Sequence, residues 1–207
     1  MSPDGVSTHD RILRAATEVF LEVGYRKATF REICRRAEAN TAAINYHFRD
    51  KEGLYLAVLE GIIAEYQQRR DRETPPPSMR PEDRLRAYIG NMLTNLLGPG
   101  ASIALFTVMS REMAEPTKGL DLMLEKVIRP FDREMTAIVR ELLGPEASEQ
   151  QLHDCVQCIV GQCNHFRRAN AVIARLGYYE TYDAQAIQRL IDQITRFSLA
   201  GILATCP

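Results

Sequence analysis

Nothing in this 207-residue chain approaches the roughly 18 consecutive apolar residues that a membrane span requires. Residues 1–5 are polar and lead into His9-Asp10-Arg11, so the apolar centre of a secretory leader is missing and a cytoplasmic protein is expected. Cysteine occurs five times, an odd number, which argues against a disulfide framework and for reduced thiols. Excess positive charge is also missing: 26 Lys and Arg against 27 Asp and Glu leave a net charge of −1. The overall basicity that often marks nucleic-acid binding is therefore absent, and any basic surface has to be local. Strand-period segments, internal repeats and low-complexity tracts are lacking as well, which leaves an all-α chain. The 45% hydrophobic and 26% charged fractions are those of an ordinary soluble globular protein long enough to bury a core.

What is present is helical periodicity with clear punctuation. Ile12, Leu13, Ala16, Val19, Phe20 and Val23 recur at helical spacing, with Ser7 or Thr8 available as N-cap and Gly24 as a left-handed stop. Thr29-Phe30-Arg31-Glu32 has the form of a capping box opening a short second helix that ends near Ala37. A third short helix fits 41–47, with Ile44 and Phe48 as core contacts. Asp50 caps a long fourth helix whose apolar stripe runs from Leu54 to Tyr66. The prolines of 75–77 and Pro81 cannot continue a helix, so 73–81 is the clearest boundary in the chain. A head at 7–67 and a body at 82–207 are predicted, with body helices near 82–97, 102–114, 119–143, 148–174 and 184–203, about nine helices in all. Breaks fall at Gly98-Pro99-Gly100, Pro116, Gly144-Pro145 and Gly177, and Pro130 should kink or break the third body helix near Arg129.

Two short helices joined by a tight turn and braced by a preceding helix are the parts of a helix-turn-helix, whose second helix enters the DNA major groove. Thr41, Asn45, Tyr46 and His47 supply hydroxyl, amide and imidazole groups there, and Ala42 and Ala43 are small enough to permit close approach to base edges and thymine methyls. Arg31 can reach a base or a phosphate, and Lys51 stands at a helix N-terminus suited to phosphate. Arg26, Lys27, Arg31, Arg35 and Arg36 form a local basic cluster; taken alone it reads first as a solvated helix face.

The segments Ile12-Leu13-x-Ala15-Ala16, Phe20-x-x-x-Gly24-Tyr25, Thr29-x-x-x-Ile33 and Ala43-Ile44-Asn45-Tyr46-His47-Phe48-Arg49-Asp50-Lys51-Glu52-Gly53-Leu54 resemble the TetR family of transcriptional regulators. The resemblance implies a homodimeric, cytoplasmic repressor that binds double-stranded operator DNA and a small-molecule effector. Carried across position by position, it makes Arg31, Thr41, Ala42, Ala43 and Asn45 base-reading or base-adjacent, and Tyr46, His47 and Lys51 phosphate contacts. One departure is Glu38, which stands where the family has glycine in the turn and should strain it by about 1 kcal/mol. In the body, Ser110-Arg111-Glu112-Met113-Ala114-Glu115-Pro116, Ile128-Arg129-Pro130, Glu141-Leu142-Leu143-Gly144 and Gly161-Gln162-Cys163 resemble the CecR-like subfamily.

The last two predicted helices carry Gly161, Ala169, Ala200, Gly201 and Ala204 beside apolar residues, so a four-helix dimer interface built from them is expected; completion of the monomer core is the other reading. His153, Cys155, Cys158, Cys163 and His165 crowd one helix, which admits a metal- or thiol-sensing regulator as the alternative function, with core packing the plainer account. Arg111 and Glu112 suggest either a pair orienting a polar ligand or a structural salt bridge. No nucleophile or acid-base constellation suggests an enzyme, no cofactor is implied, and the effector-contacting residues are left open. The long fourth helix is the expected lever between body and head.

Overall fold

The computed structural model describes residues 7–98, 102–179 and 181–205. Pro99 and Gly100 of the predicted break, and Cys206, lie outside them. Among the described residues there are eleven α-helices, one π-helical segment and no strand. The helices are α1 (Thr8–Lys27), α2 (Phe30–Ala37), α3 (Thr41–Phe48), α4 (Lys51–Glu73), α5 (Pro81–Leu97), α6 (Ile103–Ala114), α7 (Lys118–Met123), α8 (Arg129–Leu143), α9 (Glu149–Arg168), α10 (Asn170–Arg175) and α11 (Ala184–Ala204), with the π turn Leu124–Ile128 before α8.

The chain divides into two compact units. The first comprises Met1–Gln67 and Ala104–Val127. Its core is built from the apolar stripes already visible in sequence: Ile12, Ala16 and Phe20 of α1, Ile33 of α2, Ile44 and Phe48 of α3, and Leu54, Val58 and Leu59 of α4. Leu105, Val108 and Met123, from a stretch that the sequence reading assigned to the body, pack into the same cluster.

The second unit comprises Gln68–Ile103 and Ile128–Pro207. Helix α5 packs against α11, α8 and α9, burying Leu85, Ile89 and Leu93. Polar bonds set its register on α8: Arg84 bonds Glu141, while Tyr88 and Arg70 both bond Glu134.

Proline placed the breaks as anticipated. Pro81 and Pro130 each sit in the first turn of a helix, where the missing N–H costs nothing. The predicted helix at 119–143 is thus α7, the π turn and α8. At 148–174 the single expected helix divides at Ala169 into α9 and α10, and neither glycine nor proline marks that point in the sequence.

Candidate nucleic-acid interface

Each head helix starts on a polar cap. Ser7 Oγ accepts the Asp10 N–H at 3.1 Å, Thr29 Oγ1 accepts that of Glu32 at 3.3 Å, and Asn40 Oδ1 accepts that of Ala43 at 2.9 Å. Gly24, at φ 78°, interrupts α1 where a stop was expected, although one more helical turn runs on to Lys27. Between α2 and α3 the chain turns through Glu38 at φ 49° and ψ 47°, the left-handed conformation that glycine adopts without strain. Burial of Ile44 and Phe48 anchors α3 by one face, leaving Thr41, Ala42, Asn45, Tyr46 and His47 exposed; Tyr46 is 85% exposed. Ala43 is half-buried and packs on the core.

The corner after α3 is under unusual backbone strain. Arg49 has φ 69° and ψ −55°, and the Asp50 N–H bonds back to the Phe48 carbonyl at 2.9 Å. This is a γ-turn of positive φ, a conformation that costs an L-residue on the order of 1–3 kcal/mol. The Phe48 carbonyl is then aimed at residue 53, where a Cβ would come within 2.2 Å of its oxygen, so glycine is required there for steric reasons. Asp50 Oδ1 accepts the Gly53 N–H at 2.8 Å and starts α4. The run Phe48-Arg49-Asp50-Lys51-Glu52-Gly53 is therefore a turn whose parts constrain one another. The His9 ring stacks on Phe48, with centroids 4.9 Å apart, and meets His47 edge-on at 5.6 Å.

Charge pairing redistributes the local basic cluster. Glu32 does not complete a reciprocal capping box; its carboxylate accepts from Arg35 at 2.7 and 2.9 Å and from Arg36 at 2.8 Å. Those bonds, Arg35's first, bring the Glu32 carboxyl down to about 2. Arg36 also bonds both oxygens of Glu22 at 2.7 Å, which lowers that carboxyl and clamps α2 to α1. Arg26 pairs with Glu115 at 2.9 Å. Arg31 and Lys27 have no carboxylate partner among the described residues, and Arg31 is exposed. Lys51 is half-buried: its Nζ lies 4.9 Å from the centre of the Tyr25 ring and donates to the Arg26 carbonyl at 3.2 Å, while burial lowers its pKa.

The segment from α6 to α7 is clasped to this helix-turn-helix. Arg111 and Glu112 do not pair with each other. Arg111 donates to the carbonyls of Phe20 at 2.5 Å and Glu22 at 3.0 Å, groups left over at the interruption of α1. Glu112, only 1% exposed, accepts from the Tyr55 hydroxyl at 2.7 Å, the Thr117 N–H at 2.8 Å and the Thr117 hydroxyl at 2.9 Å. Burial first, then the bond to Glu112, raises the Tyr55 phenol well above its usual range. Lys118 pairs with Glu52 at 2.6 Å on the surface of the same junction.

Residues 12–58 match the family described as bacterial regulatory proteins, tetR family, and residues 81–202 match the C-terminal domain of the HTH-type transcriptional dual regulator CecR. The chain belongs to the TetR family. It is 26% identical to the dual regulator CecR of Shigella flexneri over 205 residues, covering 94% of this chain and 91% of the relative. The repressor NicS of Pseudomonas putida is 36% identical over 78 residues, 35% of this chain and 37% of that one. Among solved structures, the flavonoid-responsive regulator FrrA superposes with a TM-score of 0.64 at 18% identity, covering 94% of this chain and 96% of that one. FadR of Bacillus subtilis, solved with stearoyl-CoA, gives 0.63 at 16% identity, covering 92% and 97%; both show a shared fold. As a TetR-family member the chain is a DNA-binding transcriptional regulator with a ligand-binding C-terminal domain.

In this TetR-family head, Thr41, Ala42, Asn45, Tyr46 and His47 lie together on the open side of α3, Arg31 is exposed at the start of α2, and Ala43 and Lys51 are drawn inward. His9, Tyr25 and Arg49 are neighbours of that surface which the sequence reading did not single out. Tyr25 and Arg49 stand within the family-like segments without a role attached to them, and their placement here comes from ring contacts and a turn conformation. The cysteine-rich helix is dispersed in its contacts. Cys163 is buried and its thiol pushed up to about 12 by desolvation, Cys155 lies 3.9 Å from the Thr205 hydroxyl, and Cys158 is exposed. Among the described residues no group of three or more His, Cys, Asp or Glu is arranged to hold a metal ion. None of the described helices is long and apolar enough to cross a membrane.

Proposed function

We propose that this chain is a cytoplasmic homodimeric repressor that leaves a palindromic operator when a small organic effector binds its C-terminal domain. The observation that carries the DNA half is the open face of α3, where polar and small side chains stand on a helix anchored on its other face by Ile44 and Phe48. Arg31, Thr41, Ala42, Ala43 and Asn45 read or abut bases in this scheme. Tyr46 and His47 contact phosphates, and Lys51 adds charge at the N-terminus of α4. Functionally, 7–67 is the reading head and 82–207 the effector and dimerisation body. The chain acts by binding, without a catalytic step.

The dimer is assigned to α9 and α11. Gly161 and Gly201 lie inside these helices with open space where a Cβ would stand, so nothing in the protomer requires glycine at either position. A mid-helix glycine costs up to about 1 kcal/mol relative to alanine. Two such costs without an intrachain return, beside Phe197 at 65% exposure and a groove lined by Gly161, Phe166, Ile194 and Phe197 together with Gln162, His165 and Gln193, are accounted for by a second subunit packing closely there. For the effector, FrrA is flavonoid-responsive and FadR was solved with stearoyl-CoA; we assign here an organic molecule with a substantial apolar part. A hundredfold change in occupancy requires it to favour the non-binding form by about 2.7 kcal/mol.

Selection of genomic fragments by the purified dimer at defined salt tests the reading. A short palindrome should be retained by the wild type and lost with Arg31→Ala and with Asn45→Ala. Retention without sequence preference, or selection unchanged in both variants, would overturn it.

A further inference from the structure

The strained turn at Arg49 is not explained by the corner alone. Gly53 and Asp50 already give α3 and α4 their junction, and glycine at 49 would adopt the positive φ without cost. The chain instead carries an arginine there. Its side chain is exposed, and no carboxylate pairs with it among the described residues, although Arg26, Arg35 and Arg36 of the same head are each held by glutamate. It stands two residues after the exposed His47, past the buried Phe48, and two residues before Lys51. Backbone strain retained at an exposed position, where a cheaper residue would build the same turn, marks a side chain kept for what it binds.

We propose that Arg49 is a DNA-backbone contact, its guanidinium binding a phosphate beside the groove that α3 enters. Guanidinium suits this role because its planar fork donates two parallel hydrogen bonds to phosphate oxygens and keeps its charge at any physiological pH. The contact is independent of base sequence, so it adds affinity and register and carries no operator preference. This inference rests on the reading of α3 as the groove-entering helix, and its test separates the two.

The experiment uses the full-length dimer, wild type and Arg49→Gly, Arg49→Ala and Arg49→Lys. Each is titrated at several potassium chloride concentrations against two duplexes, the fragment selected by the wild type and one of arbitrary sequence; thermal unfolding is followed in parallel. Arg49→Gly should melt higher than the wild type because the strain is gone, yet bind both duplexes about tenfold more weakly at 0.1 M salt. The slope of log affinity against log salt should flatten by about 0.9 for each protomer, as expected for one lost phosphate contact. Arg49→Lys should keep most of the slope, and Arg49→Ala should lose it without the gain in melting temperature.

Wild-type affinity and slope in Arg49→Gly would overturn the assignment and leave the turn a matter of the corner only. A loss confined to the selected fragment would also overturn it, in favour of a base contact. Failure of the wild type to bind either duplex would defeat the operator reading itself, and this inference with it.

Discussion

At the scale of single residues, the head is held by charges that the helix pattern does not reveal. Glu32 was expected to bond its own helix N-terminus, but two arginines compete for the same oxygens and charge-assisted bonds are the stronger. Its carboxyl falls from the usual 4.5 to about 2 when the head is folded. A carboxyl lowered by folding stabilises the folded state fully above its unfolded value and loses that contribution as pH drops toward the folded one. The midpoint of thermal unfolding should therefore decline between about pH 4.5 and 2 more steeply in the wild type than in Glu32→Gln, with Glu22 adding to the slope in both. Parallel declines in the two proteins would show that the arginine pair does not matter to the fold. Glu112 makes the opposite point, because its near-complete burial would be costly for a lone carboxylate and is offset by the Tyr55 and Thr117 donors.

Single elements were largely legible because their starts and stops are local. Ser7, Thr29 and Asp50 cap the helices expected of them, and the prolines divide the body as predicted. The α9–α10 break at Ala169 was not legible, since no residue there is a helix breaker. The α3–α4 corner shows how an element boundary becomes a steric requirement. Gly53→Ala drives a Cβ into the Phe48 carbonyl and should cost roughly 2–3 kcal/mol, on the scale of overpacked sites. Gly61→Ala, in the middle of the same helix but facing open space, should gain up to about 1 kcal/mol. Urea unfolding of the two variants checks the contrast, and equal effects would mean that the corner yields to the added methyl.

On the scale of the whole molecule, the proposed dimer has to present two heads to one operator. Phe197 is exposed on α11 beside glycines that make no use of their smallness within the protomer, so a charge placed there should spare the fold and damage association. Phe197→Asp should weaken the dimer by about a hundredfold, the scale of an aromatic anchor worth 2–4 kcal/mol at the centre of an interface. Sedimentation should find it monomeric at micromolar concentration, with helical content unchanged and operator binding lost. A dimer that survives the substitution would move the interface away from α9 and α11.

The all-α fold, the helix-turn-helix and the exposed set on α3 follow from periodicity, caps and breakers, which depend on neighbours within about four residues and so can be read along the chain. Long-range packing governs the rest. Only three-dimensional proximity joins Glu22 to Arg36, Tyr55 to Glu112 and Arg111 to the end of α1, because ion pairs and buried hydrogen bonds act over a few ångströms of space regardless of sequence separation. The same proximity places 104–127, which reads as body in one dimension, in the compact unit of the DNA-reading head.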